Sequence, residues 1–167
     1  MEPASTKPAA AIQSPCSFSS PTVSKRIRHP EHHRCIICSS SNPLNFGLEF
    51  SLESDGSVRS SFRGSSILEG CAGQLQVGII AGLLEEIMAH CVLAFGEDRN
   101  ITITRLRVSY HEPVAAEYPI TLRASVDRSR RGRFQVLSAE LWQQNRVKVT
   151  ASGTYQKQRP ARKGKTH

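Results

Sequence analysis

One run constrains this chain more than any other, Val77 to Phe95. Its apolar positions Ile80, Leu83, Leu84, Ile87, Met88 and Cys91 recur at the spacing of one helical face, and apolar residues stand on its other sides as well. A helix of that kind must be enclosed nearly all round. Glu85, Glu86 and His90 interrupt the run, so it is not expected to cross a membrane. The enclosure is written in the flanking sequence, where the periodicity is two. Phe46, Leu48, Phe50 and Leu52 alternate with small or polar residues, and Asp55-Gly56 supplies a turn before Ser57–Phe62, which predicts a hairpin. After the helix, Ile120, Leu122, Ala124 and Val126 alternate, as do residues of Phe134–Trp142 and then Val147, Val149 and Ala151. Residues 101–110 are strand-like but change face between Ile101/Ile103 and Leu106/Val108, which a bulge near Thr104–Arg105 would explain. Two strands, one buried helix and four strands make an α+β order in which an antiparallel sheet wraps the helix.

The 167 residues suffice for one domain, and the formal net charge of +8 sits outside its centre. Residues 1–30 carry Lys7, Lys25, Arg26 and Arg28 against Glu2, and residues 156–167 carry Lys157, Arg159, Arg162, Lys163 and Lys165 with no acid. Those balances, +3 and +5, account for the whole +8, so residues 31–155 are neutral overall. A basic groove for nucleic acid is therefore not expected, although two basic tails are. Five prolines mixed with Ser, Thr and Ala make 1–30 read as disordered, and 156–167 reads as a second disordered tail. The amino-terminal stretch has no apolar secretory core, and an odd number of cysteines, five at irregular spacing, suits a reducing compartment. A cytoplasmic location is expected.

The chemistry is expected on the helix. On a 100° wheel the apolar stripe centres near Ile80, Leu84 and Cys91. Glu86 falls roughly opposite, where water or a subunit interface could receive it. Glu85 falls on the flank beside Ala81, Met88 and Val92. Glu85 is thus expected to be the more desolvated, with a raised pKa and a general-base or nucleophilic role. The alternative is that both acids are merely solvated. Gly73-Gln74-Leu75-Gln76-Val77-Gly78 leads into the helix, whose first N–H groups lack intrahelical acceptors and could hold a polarised carbonyl oxygen. With Glu85 two turns along, that start could serve acyl transfer.

The stretch EGCAGQLQVGIIAGLLEE, Glu69 to Glu86, resembles the signature of PaaI-like hotdog-fold thioesterases, approximately E-G-Y-P-G-x-x-H-G-G-x-x-x-x-L-L-D-E. Cys35 to Phe50 is similar to an opening found in a branch of that family. VSYHEP (Val108 to Pro113), SRRGRF (Ser129 to Phe134) and VTASGTY (Val149 to Tyr155) extend the likeness over about residues 35–155. The resemblance implies a hotdog fold, an antiparallel sheet around one helix, as a homodimer or dimer of dimers with acyl-CoA sites between subunits. It implies Glu85 in the catalytic acidic position, the backbone at Val77 and Gly78 as oxyanion donor, and Gln76 orienting the carbonyl. Arg131 and Arg133 match a basic loop near coenzyme A phosphates, a role their charge suits; an ordinary charged hairpin turn is the alternative. No cofactor is implied.

Three departures stand out. The family's H-G-G is Gln76-Val77-Gly78 here. Gln76 cannot take the protonation states of a histidine, and the Val77 side chain fills space where a glycine lets the thioester approach. A hydroxyl carried by some relatives falls on Ile103, with Thr102 and Thr104 facing the other way. An acyl-CoA thioesterase is therefore weighed against a catalytically silent hotdog module that binds an acyl-thioester, a hydrophobic ligand or a protein partner. Cys35-x-x-Cys38 beside His32 and His33 has the residue types of zinc ligands. There is no second pair at finger spacing, adjacent histidines seldom reach one metal, and the resemblance implies a metal-free turn, so no metal is expected. His90 is expected in an i,i+4 contact on the helix surface, His111 in a solvent-facing loop, and Trp142 and Tyr155 in sheet packing.

Overall fold

The computed structural model describes residues 25–27, 32–95, 101–127 and 134–157. Most of both basic tails, together with Arg131 and Arg133, lies outside the described residues. The helix α1 spans Val77–Phe95, as its periodicity predicts. Seven strands surround it: β1 (Lys25–Ile27), β2 (Phe50–Leu52), β3 (Val58–Arg63), β4 (Ile101–Tyr110), β5 (Pro119–Val126), β6 (Phe134–Gln143) and β7 (Arg146–Lys157). They form one antiparallel sheet in the order β1-β2-β3-β5-β6-β7-β4. The chain runs from β3 through α1 to the far edge, then returns through β5 beside β3. That crossing lays the helix across the sheet, in contact with β2, β3, β5, β6 and β7.

The core follows from the two periodicities. Leu83, Leu84, Ile87, Met88 and Cys91 of α1 meet the inward alternates Val58, Ile120, Leu122, Ala124, Leu137, Leu141 and Val149. By length and hydropathy α1 could cross a bilayer; in this fold it is the core helix. Gln76 starts it. The Gln76 carbonyl accepts from Ile80 N–H at 3.1 Å, and its side-chain Oε1 accepts from Ile79 N–H at 3.0 Å, satisfying an end group that has no intrahelical partner.

The predicted hairpin forms. Gly56 takes φ 82° between β2 and β3, and Asp55 accepts from Ser57 N–H at 2.8 Å. The ladder skips between Ile103 and Arg105, so the expected bulge is present at Thr104. Two details differ from the sequence reading. Phe46 and Leu48 do not extend β2, because their N–H groups donate to the carbonyls of Ile36 and Ile37, at 2.9 and 3.2 Å. And β1 lies inside the 1–30 stretch read as disordered. Its residues pair with β2, and Arg26 forms an ion pair with Glu49 at 3.2 Å, partners that composition cannot reveal.

Segment 32–50 covers the face of α1 that the sheet leaves open. Ile37, Leu48 and Phe50 are buried there, and a Cβ built on Gly82 would lie 3.3 Å from Ile37 Cδ1. This overturns the wheel-based placement of Glu86. The side of α1 away from the sheet faces protein, and Glu86 is 3% exposed.

Candidate active site

Glu85 is half-buried on α1, with the Tyr155 hydroxyl as its partner. That hydroxyl lies 3.1 Å from the Glu85 carbonyl oxygen and 3.3 Å from Oε1, donating to both in turn. Burial pushes the Glu85 carboxyl above the ordinary carboxylate range, and the neighbouring Glu86 charge adds to this, while Tyr155 and His32 oppose it. The direction is the one expected, but the expected order of burial is not, since Glu86 is buried while Glu85 stays partly exposed. Glu86 goes the other way: burial opposes its charge, but hydrogen bonds from His32 and Cys38 hold its carboxyl below the usual range. Tyr155, read from sequence as packing, continues the inward set Val149, Ala151 and Gly153 along β7, with its ring in the core and its hydroxyl on Glu85. Burial, then the Glu85 charge, raises its phenol well above its ordinary value.

The helix start lies at another place. Val77 is exposed, and its carbonyl accepts from the Tyr110 hydroxyl at 2.9 Å. A shallow cleft of about 280 Å³ opens there, lined by Gln74, Val77, Ile80, Tyr110, His111 and Pro113 among others. The loop beside it is pinned by buried Gln143, whose amide accepts from Ala115 N–H at 2.9 Å and donates to the carbonyls of Ala115 and Tyr118. Gln76, expected to orient a carbonyl, spends its Oε1 on the helix cap and keeps only its amide N–H groups for another acceptor. Gly78 makes that cap possible, since a Cβ there would lie 2.9 Å from Gln76 Oε1.

The sequence reading has the helix start and Glu85 acting together, and helix geometry limits this. Gly78 and Glu85 are separated by about 10 Å along the axis at 1.5 Å per residue. A reacting carbonyl must sit about 3 Å from both the nucleophile and the oxyanion donors. With Glu85 turned to Tyr155, the two groups of one chain do not converge.

A second cluster brings His32, Cys35 and Cys38, weighed from the sequence as zinc-ligand types, together with Glu86, which was not foreseen there. His32 Nδ1 lies 2.9 Å from Glu86 Oε1, Cys35 Sγ lies 3.5 Å from Glu86 Oε2, and Cys38 Sγ lies 3.9 Å from His32 Nδ1. His90 is buried rather than on the surface. Its expected i,i+4 partner is correct, because Nδ1–H donates to the Glu86 carbonyl at 3.0 Å while the ring stacks on Phe50 at 3.8 Å. His111 is exposed as expected and bonds the Thr150 hydroxyl at 2.9 Å, and Trp142 donates to Glu140.

The model of the acyl-CoA thioesterase N-terminal domain matches residues 72–156, from just before α1 into the last strand. That span is half of the chain. The chain belongs to the PaaI-like hotdog thioesterase family. Among solved structures, a thioesterase superfamily protein superposes with TM-score 0.70 at 20% identity, covering 83% of this chain and 70% of that one. The phenylacetic acid degradation-related protein of Ralstonia eutropha JMP134 gives 0.60 at 26% identity, covering 66% and 85%. A hypothetical thioesterase protein of Streptococcus pneumoniae TIGR4, solved with coenzyme A, gives 0.55 at 16% identity, covering 62% and 86%. No curated protein matches the chain in sequence. The sheet and the helix it wraps are the hotdog fold of this thioesterase family, and the protein is acyl-CoA thioesterase-like.

Proposed function

We propose that the protein hydrolyses acyl-CoA thioesters at a site shared by two copies, the α1 start of one and Glu85 of the other. The observation that carries this is the pairing of a half-buried Glu85 with a buried tyrosine hydroxyl, separated by a fixed length of helix from the N–H groups at Val77 and Gly78. The β4 edge supports a second copy. Among the described residues only one of its two sides is paired, by β7, and Leu106 and Tyr110 are exposed along it. The Streptococcus pneumoniae relative with coenzyme A supports the substrate class.

In this reading the thioester oxygen takes the N–H groups of Val77 and Gly78, helped by the helix dipole. Glu85 accepts a proton from water as the hydroxide adds to the carbonyl carbon. Collapse of the tetrahedral intermediate breaks the C–S bond, expels the coenzyme A thiolate and leaves the carboxylic acid. Arg131 and Arg133, in the β5–β6 connection, are the candidates for the coenzyme A phosphates.

The test is turnover on short, medium, long and aromatic acyl-CoAs, wild type against Glu85→Gln. A loss of about 10²–10⁴-fold is expected, the usual contribution of a positioned general base. A fully active Glu85→Gln protein sinks the role of Glu85. One observation favours a second reading, a silent binding module: the exposed Val77 side chain stands at the helix mouth. A folded wild type without turnover on any of the substrates, yet binding acyl-CoA, would select that reading.

A further inference from the structure

We propose that His32, Cys35, Cys38 and Glu86 bind one zinc ion, which clamps the segment leading to β2 onto the outer face of α1. Each residue offers one donor atom, and the four atoms lie within 4.8 Å of one another. A tetrahedral zinc ion with ordinary bond lengths requires donor separations of about 3.3–3.8 Å. The contacts of 2.9 Å (His32–Glu86), 3.5 Å (Cys35–Glu86) and 3.9 Å (His32–Cys38) bracket that range.

The backbone is built for the cluster. Cys35 N–H donates to the His32 carbonyl and Ser39 N–H to the Cys35 carbonyl, each at 3.1 Å, which folds the His-x-x-Cys-x-x-Cys stretch into consecutive turns. Ile37 N–H donates to Cys35 Sγ at 3.3 Å, a bond that favours the thiolate a metal requires. The fourth donor comes from 54 residues beyond His32. The objection to two adjacent histidines therefore falls away, since His33 is exposed and only His32 enters the set.

A second layer orients the donors. The His90 ring sits edge-on to His32, with centroids 5.6 Å apart, and its Nδ1–H holds the backbone of Glu86 while Phe50 stacks on its face. Charge balance points the same way. Two thiols, a carboxylate and one imidazole face each other, a donor set whose negative charge a divalent cation would offset. Two sulfur donors argue against magnesium or calcium, and four protein donors leave no open position for substrate. The site is structural, and it stands independently of thioester hydrolysis.

The experiment uses the full chain purified without chelator. Elemental analysis should give about one zinc per chain, and replacement by Co²⁺ should produce tetrahedral d–d bands with a thiolate-to-cobalt charge-transfer band. Cys38→Ser and Glu86→Gln should each lower zinc content, and chelator should expose Cys35 and Cys38 to alkylation, located by mass spectrometry. Where a variant fails to fold, the cobalt spectrum of the wild type decides alone. Failure of the reduced wild type to take up zinc or cobalt overturns the proposal. So does a cobalt spectrum without thiolate charge transfer, or zinc content unchanged in both variants.

Discussion

Gly153→Ala puts the link between β7 and α1 under direct strain. Gly153 faces the helix from the middle of β7, opposite Leu106 on one side and Leu137 on the other. An added Cβ would lie 2.9 Å from Tyr155 Cε2 and 3.2 Å from both Met88 Cε and Met88 Sδ. Ordinary carbon contacts are about 3.5–4.0 Å, so the ring must retreat by about 0.6 Å or more, whereas the methionine can flex. Tyr155 is 2% exposed and its hydroxyl already lies 3.3 Å from Glu85 Oε1, so such a retreat breaks that bond. Overpacking of this kind costs about 1–3 kcal/mol, against which replacing a strand glycine returns about 0.5–1 kcal/mol. The net loss is about 0.5–2 kcal/mol, or roughly 2–10 °C in Tm for a domain of this size. Tyr155→Phe is the companion variant, since it removes the hydroxyl and leaves the ring, at about 1 kcal/mol. Thermal melts and acyl-CoA turnover on both variants check the reasoning. Both should lose turnover by about tenfold, the equivalent of one hydrogen bond of about 1.4 kcal/mol. A Gly153→Ala protein as stable as wild type would refute the packing argument. Full activity in Tyr155→Phe would refute the assignment of the hydroxyl to Glu85 chemistry.

Gly78→Ala separates stability from function. The new Cβ meets the end of the Gln76 side chain at 2.9 Å, so the cap to Ile79 is lost at about 1 kcal/mol, and the better helix propensity of alanine returns nearly as much. The melt should move by only a few degrees while turnover falls at least about tenfold, and unchanged turnover would remove the helix start from the reaction. Asp55 gives an acid signature. Ser57, through its hydroxyl and then its N–H, together with Arg123, lowers the Asp55 carboxyl from 3.8 to about 2, against a small opposing effect of burial. A depressed folded pKa stabilises above the unfolded value, and that stabilisation disappears as pH falls from about 4 towards 2. Asp55→Asn should therefore flatten the acid limb of a pH series of melts, and an unaltered limb would place the acid sensitivity elsewhere.

What could be read from the residues depended on how local the cause was. The helix bounds, the Asp55-Gly56 hairpin and the bulge at Thr104 follow from periodicity and turn chemistry over a few residues, and the structure has all three. The turn at Gln144 and Asn145 carries positive φ at both positions, 52° and 60°, without the glycine that usually announces it. The direction of the Glu85 shift was legible because its wheel position sits beside the core. Glu86 was misplaced because a helical wheel records only the helix, and the cover over its far side comes from Ile37, Leu48 and Phe50 in a segment with no helical or strand period. Tyr155 could have been found by continuing the inward alternation of β7 two steps past Ala151. His32, Cys35 and Cys38 of the four-residue cluster were visible by their spacing, but Glu86 was not, since it joins from a distant helix.

The length of α1 between Gly78 and Glu85 sets a rule of ownership. On the shared site proposed above, neither copy of the chain holds a whole reaction centre, so activity would belong to the pair and should fade on dilution as pairs dissociate, even while each chain stays folded. Mixed pairs obey the same arithmetic. One copy damaged at its helix start and another damaged at its carboxylate concentrate both lesions in one of the two centres. The other centre, built from the intact halves, returns function to two proteins that are each inert alone.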